Sequence, residues 1–167
     1  MRRITLRTLV NLAVLTALEI VLSRFLSIST QELKIGFSFV PVVLAAALYG
    51  PLGGALCAGL GDLIGAVLFP IGPYFPGFTL TAALTGAVFG LFLHKKIRWQ
   101  GTAAAVLINQ LPLSLGLNTL WISLLYGTPY LALLSTRLLQ CAILIPVQII
   151  VILLLKPLIE YLKEHYI

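Results

Sequence analysis

The sequence has few charged side chains: they make up 10% of its 167 residues, against 60% hydrophobic residues. Its mean hydropathy is +1.07. A soluble domain of this size cannot bury so much apolar surface, because small domains have a high ratio of surface to volume. This composition instead predicts a protein whose apolar surface is exposed to lipid. A membrane span needs roughly 20 apolar residues, so the chain has room for about six helices and for no soluble domain beside them.

Cysteine and histidine are scarce, with two of each. Cys57 and Cys141 lie in apolar stretches without metal-ligand spacing, which predicts small packed residues rather than a disulfide or a zinc site. His94 and His165 have no acidic cluster beside them, so a metal-dependent or hydrolytic active site is not expected. A glycine-rich phosphate loop followed by lysine is also missing. We therefore expect no enzyme, no metal and no cofactor, and any ATPase must be a separate chain.

Apolar blocks separated by charges and by proline-glycine breaks predict an all-α integral membrane bundle of six transmembrane helices, forming a single domain over 1–167. The second block is short, so we expect it to be tilted or not to cross fully. The first block resembles a signal peptide, but no small-x-small cleavage site follows it, and a retained helix is predicted. The blocks run over approximately 8–29, 37–49, 52–69, 78–93, 102–126 and 131–155.

The basic residues predict the orientation of the bundle. With the N-terminus in the cytoplasm, eight of the eleven Lys and Arg residues fall on the cytoplasmic side. This positive-inside bias predicts that both termini are cytoplasmic and that the number of spans is even. The net charge of +6 thus reflects topology, and because the basic residues form no stripe with aromatic ones, no nucleic-acid partner is expected.

Asp62 is the most informative single residue, because an ionisable side chain at membrane depth usually has a partner or a ligand. Its carboxylate can accept two parallel hydrogen bonds from an N–H edge of a heterocycle, or bind a cationic group. The alternative is an internal ion pair, with Arg137 or Arg24 as the partner. Glu19, in the first block, either pairs with a neighbouring helix or faces a cavity, and the sequence does not decide between these.

The loop Phe69–Phe78 falls on the outer side and carries three prolines, which stiffen an exposed loop. Its residues Tyr74, Phe75 and Phe78 offer flat faces to a flat ligand. The alternative is an aromatic belt at the membrane interface, which does not require the prolines.

The remaining polar candidates each have two interpretations. Arg24 and Lys34 flank the first outer loop, where either can hold a ligand carboxylate or extend to the interface. For Arg137, in the sixth block, a structural pair is slightly favoured over a ligand contact. Asn118 and Trp121 are three residues apart in the fifth block, so they share a helix face and either contact a ligand or join helices.

Small residues recur at a spacing of four along the predicted helices. Ala13 and Ala17 lie in this way on one face of the first helix. Such faces let helices approach closely, but they are frequent in any membrane bundle and alone are weak evidence for a partner.

Several segments of the sequence resemble a known family, the substrate-binding S components of energy-coupling factor (ECF) vitamin transporters, and within it the folate-specific type. The likeness covers roughly residues 22 to 90, and the length and topology match over the whole chain. The segments that carry it are Leu22–Ile28, Leu33–Pro41, Tyr49–Pro51, Asp62–Gly65 and Phe69–Thr79.

The resemblance implies a six-helix S component that binds its vitamin in an outward-facing cavity, in the plasma membrane of a bacterium. It also implies a complex with a transmembrane coupling protein, the T component, and two cytoplasmic ATPases. The Ala13-x-x-x-Ala17 pair resembles the first-helix motif by which S components dock on their membrane partner.

For the ligand, the resemblance leads to a hypothesis with folate as the cargo. Asp62 is placed on the edge of the pterin, while aromatic side chains stack on its face and a basic side chain meets the glutamate tail. The candidates are Tyr74, Phe75 and Trp121 for stacking, and Arg24 and Lys34 for the tail. The alternatives are an S component for another vitamin, such as riboflavin or thiamine, and a membrane scaffold without a ligand.

Overall fold

The computed structural model describes residues 5–29 and 34–166. Within these residues the regular secondary structure is helical apart from one antiparallel pair of two-residue strands, β1 (Ile28–Ser29) and β2 (Lys34–Ile35). The helical segments are, in chain order, α1 (Leu6–Arg24), α2 (Phe39–Leu68), α3 (Pro76–Leu93), α4 (Trp99–Ile108), a π-helical segment (Asn109–Asn118), α5 (Thr119–Tyr126) and α6 (Tyr130–Tyr166).

Helix α1 turns polar side chains towards the protein and apolar side chains outward. Thr16, Glu19 and Ser23 are buried, whereas Leu9 and Val14 are exposed. In a soluble protein an amphipathic helix has the opposite arrangement. The pattern of α1 suits a helix at the edge of a membrane bundle, where the apolar face meets lipid and polar side chains face the bundle interior.

Helix α2 is bent at Gly50, whose backbone angles of φ 81° and ψ −167° lie outside the helical region. The positive φ is open to glycine, and the second limb of the helix begins at Pro51. A break at Gly50-Pro51 is also where the sequence separates two apolar blocks. In the structure the predicted blocks 37–49 and 52–69 correspond to the two limbs of α2, which the non-helical residue Gly50 separates.

Five helical stretches in the described part of the chain are long and apolar enough to cross a membrane. The predicted number of six treats the two limbs of α2 as separate spans. The first limb, 39–49, is only about 16 Å long at 1.5 Å per residue, roughly half of the 30 Å hydrocarbon core. The count of six is therefore not confirmed. The five stretches are Leu6–Arg24, Phe39–Leu68, Pro76–Leu93, Trp99–Tyr126 and Tyr130–His165.

The second limb of α2 packs against α3 with the two backbones in contact. Gly54 and Gly86 face each other so closely that a Cβ atom on either would overlap the carbonyl group of the other. Gly90 lies in the same way against Pro51. Glycine allows this approach because it has no side chain.

The stretch from Trp99 to Tyr126 changes its helical geometry in the middle, where ten residues are π-helical. Pro112 lies within them. Proline cannot donate to the i→i−4 ladder, and π-helical turns are frequently found at functional sites.

Two boundaries differ from the sequence prediction by five residues or more. Helix α1 ends at Arg24 rather than near residue 29, because the chain turns there towards strand β1. Helix α6 continues past residue 155 to Tyr166, and Pro146 and Pro157 lie inside it without ending it.

Candidate functional site

A cavity of about 380 Å³ lies among α1, α2, α3, the π-helical segment, α5 and α6. This volume is within the range of pockets that hold a small organic ligand. One end, called the mouth here, is lined by residues 71–75 of the loop before α3. The other, called the inner end, is lined by the residues furthest from that loop along α3 and α6, Phe89 and Gln148.

The mouth is formed by a loop that prolines hold in place. Phe75 precedes α3, and Pro76 is its first residue, a position where proline favours helix initiation. The hydroxyl groups of Tyr74 and Thr79 are 3.2 Å apart, which ties the loop to the first turn of α3. Gly72 lies close to the Tyr126 hydroxyl, so the loop also approaches the end of α5.

A polar cluster below the mouth joins α1, α2 and α3. Nη2 of Arg24 lies 3.7 Å from Oδ1 of Asp62 and donates to the Asp62 backbone carbonyl at 3.3 Å. The Thr79 hydroxyl donates to Oδ2 of Asp62 at 2.8 Å. Gly65 leaves room for the arginine, because a Cβ atom there would lie 2.8 Å from Arg24 Nε.

The ion pair predicted as the alternative role of Asp62 is therefore present, with Arg24 as a partner. The pair does not fill a solid interior, since Asp62 and Arg24 both line the cavity. A second consequence concerns the ligand hypothesis. Because the two side chains are 3.7 Å apart, they cannot contact opposite ends of one elongated molecule.

Aromatic side chains stand next to this cluster. Phe75 and Phe78 line the cavity, with ring centroids 6.3 Å apart in an edge-to-face arrangement. Trp121 packs against Phe75 at 5.4 Å, and its indole N–H donates to the Thr81 hydroxyl at 3.0 Å. Trp121 thus orients the Phe75 ring, which itself faces the cavity together with Tyr74.

The π-helical segment contributes Ser114 and Asn118 to the cavity wall. Asn109, at the start of this segment, is buried and donates from Nδ2 to the Thr85 carbonyl of α3 at 3.3 Å. Asn109 therefore joins two helices, as amides in membrane spans often do, whereas Asn118 lines the cavity.

Helix α6 presents one polar face to the cavity. Arg137, Gln140, Leu144 and Gln148 all line it, at spacings of three and four residues that place them on one side of the helix. Arg137, Gln140 and Gln148 are buried. Gln140 and Gln148 are not among the residues predicted from the sequence, although their spacing from Arg137 in an otherwise apolar helix is a signal that could identify them.

The other predicted residues fall in three places. Glu19 is buried and lines the cavity, with its carboxylate against Gly61. The side chain of Lys34 lies outside the described part of the structure. Ala13 and Ala17 are exposed on α1 and do not line the cavity.

Metal binding has no support in the described residues, where no three His, Cys, Asp or Glu side chains lie close enough to hold an ion. The cavity instead combines the Arg24–Asp62 ion pair, several amides and an aromatic wall. Such a lining can bind an organic molecule with flat rings and polar ends.

Comparison with known proteins places the chain in a family. Residues 7–156 match the family model described as "ECF transporter, substrate-specific component". The chain is 39% identical over 145 residues to the "Folate transporter FolT" of Clostridium novyi (strain NT), a match that covers 86% of this chain and 84% of the relative. It is 37% identical over 150 residues to the "Folate transporter FolT" of Leuconostoc mesenteroides, covering 86% of this chain and 80% of that one.

A solved structure is similar over nearly the same extent. It is the "Crystal structure of FolT bound with folic acid", with a TM-score of 0.82, 37% sequence identity, and coverage of 87% of this chain and 89% of that one. The family is that of a transporter's substrate-binding component and not of an enzyme. From its match over residues 7–156, the chain belongs to the family of substrate-specific components of ECF transporters.

Proposed function

We propose that the chain is the folate-binding membrane subunit of an ECF importer and that it captures folate in the cavity described above. The observation that carries the proposal is the cavity itself, about 380 Å³ with a charged cluster beside an aromatic wall. Support for folate as the ligand comes from relatives that are named folate transporters and from the similar structure with folic acid bound.

The chemistry of folate fits this lining part by part. Its pterin and benzoate rings are flat and match the faces of Tyr74, Phe75 and Phe78, with Trp121 supporting Phe75. Its glutamate carboxylates need cations, and an arginine can bind a carboxylate through two parallel hydrogen bonds. In this proposal Arg24 is the cation at the mouth, and Asp62 and Thr79 orient the cluster around it.

Three further predicted residues complete the proposed site. Asn118 offers an amide to the middle of the ligand, and Arg137 adds a second positive charge at the cavity wall. Lys34 belongs to the short strand β2 before α2, and we propose that it adds positive charge near the ligand carboxylates.

The proposed topology has six transmembrane segments, counting the two limbs of α2 separately, in one domain with both termini in the cytoplasm of a bacterial cell. The basic residues Lys95, Lys96 and Arg98 lie between α3 and α4, at the opposite end of α3 from the mouth. The positive-inside rule then puts this loop inside and the mouth outside.

The energy for uptake must come from other subunits in this proposal. A T component and two cytoplasmic ATPases are the partners expected from the family. The proposed docking face includes Ala13 and Ala17, whose side chains are small and exposed on α1. A helix of the T component can approach closely at such a face.

The direct test is calorimetric titration of the purified chain, in lipid nanodiscs, with folic acid, riboflavin and thiamine. We expect saturable binding of folic acid with one site per chain, and much weaker or no binding of the other two vitamins. Tighter binding of riboflavin or thiamine would move the chain to another vitamin. If none of the three vitamins binds, the proposal of a folate-capturing subunit is overturned.

A further inference from the structure

The loop between α3 and α4 concentrates positive charge at the end of the bundle opposite the mouth. Lys95, Lys96 and Arg98 lie within four consecutive positions, and all three are exposed. None of them forms an ion pair or a side-chain hydrogen bond with the residues that the structure describes. The sequence has no Asp or Glu between Asp62 and Glu160, so neither this loop nor the two helices it joins supply a compensating charge.

Contacts with other helices hold the loop in place. The His94 ring donates from Nδ1 to the Ala47 carbonyl of α2 at 3.0 Å, and Lys163 of α6 donates to the His94 carbonyl at 2.6 Å. Ile97 is 2% exposed and belongs to the hydrophobic core. Arg98 has extended backbone angles, φ −122° and ψ 148°, and in extended backbone successive side chains point to opposite sides. Because Ile97 points inward, Arg98 is directed away from the core.

Apolar surface adjoins these cations. Leu91 and Phe92, in the last turn of α3, are 67% and 37% exposed, and Trp99, the first residue of α4, is 66% exposed. The two helix ends lie side by side, since a Cβ atom on Gly101 would be 3.5 Å from the Phe92 carbonyl oxygen. Both helices belong to stretches able to cross a membrane, and tryptophan is enriched where hydrocarbon meets headgroups. The cations therefore begin where the lipid-facing surface ends.

This arrangement selects one kind of partner. A phospholipid has acyl chains that can lie on the exposed apolar side chains and a phosphate that can reach the cations beyond them. A soluble anion uses the charges but leaves the apolar surface without a partner. Each basic residue close to an anionic membrane surface strengthens binding about fivefold. A zwitterionic headgroup has no net charge and does not provide this gain.

We propose that Lys95, Lys96, Arg98 and Trp99 form a binding site for an anionic phospholipid. The headgroup phosphate lies among the three cations, and an acyl chain lies along Trp99 and Leu91. In the proposed topology this lipid belongs to the cytoplasmic leaflet. The site goes beyond folate capture and does not depend on it, because the loop is not in the cavity wall. A bound headgroup keeps the adjoining ends of α3 and α4 at the membrane surface.

The test follows Trp99 fluorescence in complete chains that carry Trp121→Phe, so that Trp99 is the sole tryptophan. The chains are placed in phosphatidylcholine nanodiscs with a rising share of brominated phosphatidylglycerol or brominated phosphatidylcholine. Bromine on the acyl chains quenches a tryptophan that it contacts. We expect phosphatidylglycerol to bind beside Trp99 at least fivefold more strongly than phosphatidylcholine. Replacing Lys95, Lys96 and Arg98 together by glutamine should bring this preference to within twofold.

A matched control replaces Arg2, Arg3 and Arg7 by glutamine, which removes three positive charges from the same side of the membrane in the proposed topology. It should keep a preference of at least fivefold. The inference is overturned if the Trp121→Phe protein itself binds the two lipids within twofold of each other. It is also overturned if the control loses as much preference as the loop variant, because the attraction then comes from overall charge and not from this site.

A salt series on the Trp121→Phe protein needs no change in the loop, so it decides the matter even if thermal unfolding shows that the loop variant is not folded. At 1 M salt the screening length falls to about 3 Å, and the preference for phosphatidylglycerol should fall to within twofold; an unchanged preference would contradict the site. An acidic protein surface is the alternative partner. If the loop variant keeps the lipid preference but no longer co-purifies with the T component and ATPases, the cations bind protein and the inference fails.

Discussion

Replacement of Asp62 by asparagine tests the polar cluster most directly, because it removes one charge and preserves the size of the side chain. Asp62 Oδ1 lies 3.7 Å from Arg24 Nη2, and the two side chains are only 22% and 10% exposed. At this separation two unit charges attract each other by about 4 kcal/mol when the effective dielectric constant is about 20. Much of this attraction only offsets the cost of desolvating the charges, so the net effect is smaller.

The effect on ligand binding follows from what Asp62 holds in place. Arg24 forms an ion pair with its carboxylate and Thr79 donates a hydrogen bond to it, and with asparagine the guanidinium loses the charge that positions it. A hydrogen bond to a charged group contributes about 1.5–3 kcal/mol. Loss of one such contact corresponds to about 10- to 150-fold in Kd. We therefore expect Asp62→Asn to weaken folic acid binding at least tenfold in a protein that still folds and inserts.

The assay is titration of folic acid into the purified variant, with thermal unfolding as the check on folding. A matched control is Glu160→Gln, which also neutralises one acid of an ion pair, here the exposed pair with Lys156 at 3.9 Å in α6. This control should bind folic acid as the parent does, because exposed pairs contribute little and Glu160 is not in the cavity wall. An Asp62→Asn affinity within twofold of the parent, or a tighter one, would refute the reasoning.

Three other variants test separate parts of the structure. Ala13→Trp should abolish co-purification with the T component and leave folic acid binding intact, because the bulky ring blocks the proposed docking face; loss of folic acid binding, or retained co-purification, would contradict this. Gly86→Ala should lower stability by roughly 1–3 kcal/mol in thermal unfolding, because its Cβ meets the backbone of α2. The control Gly101→Ala should leave the stability unchanged, because a Cβ atom there would lie 3.5 Å from the nearest atom. Trp121→Phe should remove the fluorescence change caused by folic acid, since Trp121 packs on the cavity residue Phe75, whereas Trp99→Phe should keep it.

The helices themselves are largely predictable from the sequence, because apolar runs and proline-glycine breaks mark them. The bend in α2 shows what the local sequence cannot predict. Gly50-Pro51 identifies the position of the break, but a glycine with positive φ fits both the end of a helix and a bend within one. Contacts from distant parts of the chain accompany the bend, including the His94 ring beside Gly50 and Gly90 against Pro51. Such contacts are not visible in local sequence.

The residues of the site are also predictable from the sequence only in part. Charge at membrane depth identifies Asp62 as important, and it names Arg24 and Arg137 as possible partners. The actual contact with Arg24 depends on the packing of α1 against α2, where Gly65 leaves space for the guanidinium. Cavity residues of α6 such as Gln148 could be identified only from the spacing of polar residues along an otherwise apolar helix. That spacing does not show which side of the helix faces a cavity.

Helix α1 carries residues of both proposed activities. Glu19 and Arg24 line the cavity, while Ala13 and Ala17 are exposed. At 100° per residue, Ala17 and Glu19 point in directions about 160° apart around the helix, whereas Arg24 lies on the same side as Ala17 but about 10 Å further along the axis. Ala13 and Arg24 are eleven residues apart, about 16 Å along the helix axis, so a variant at Ala13 does not touch the Arg24 side chain. Distant sites without shared partners have additive effects. We therefore expect the docking and binding variants to act independently on affinity and on complex formation, with only uptake requiring both sites.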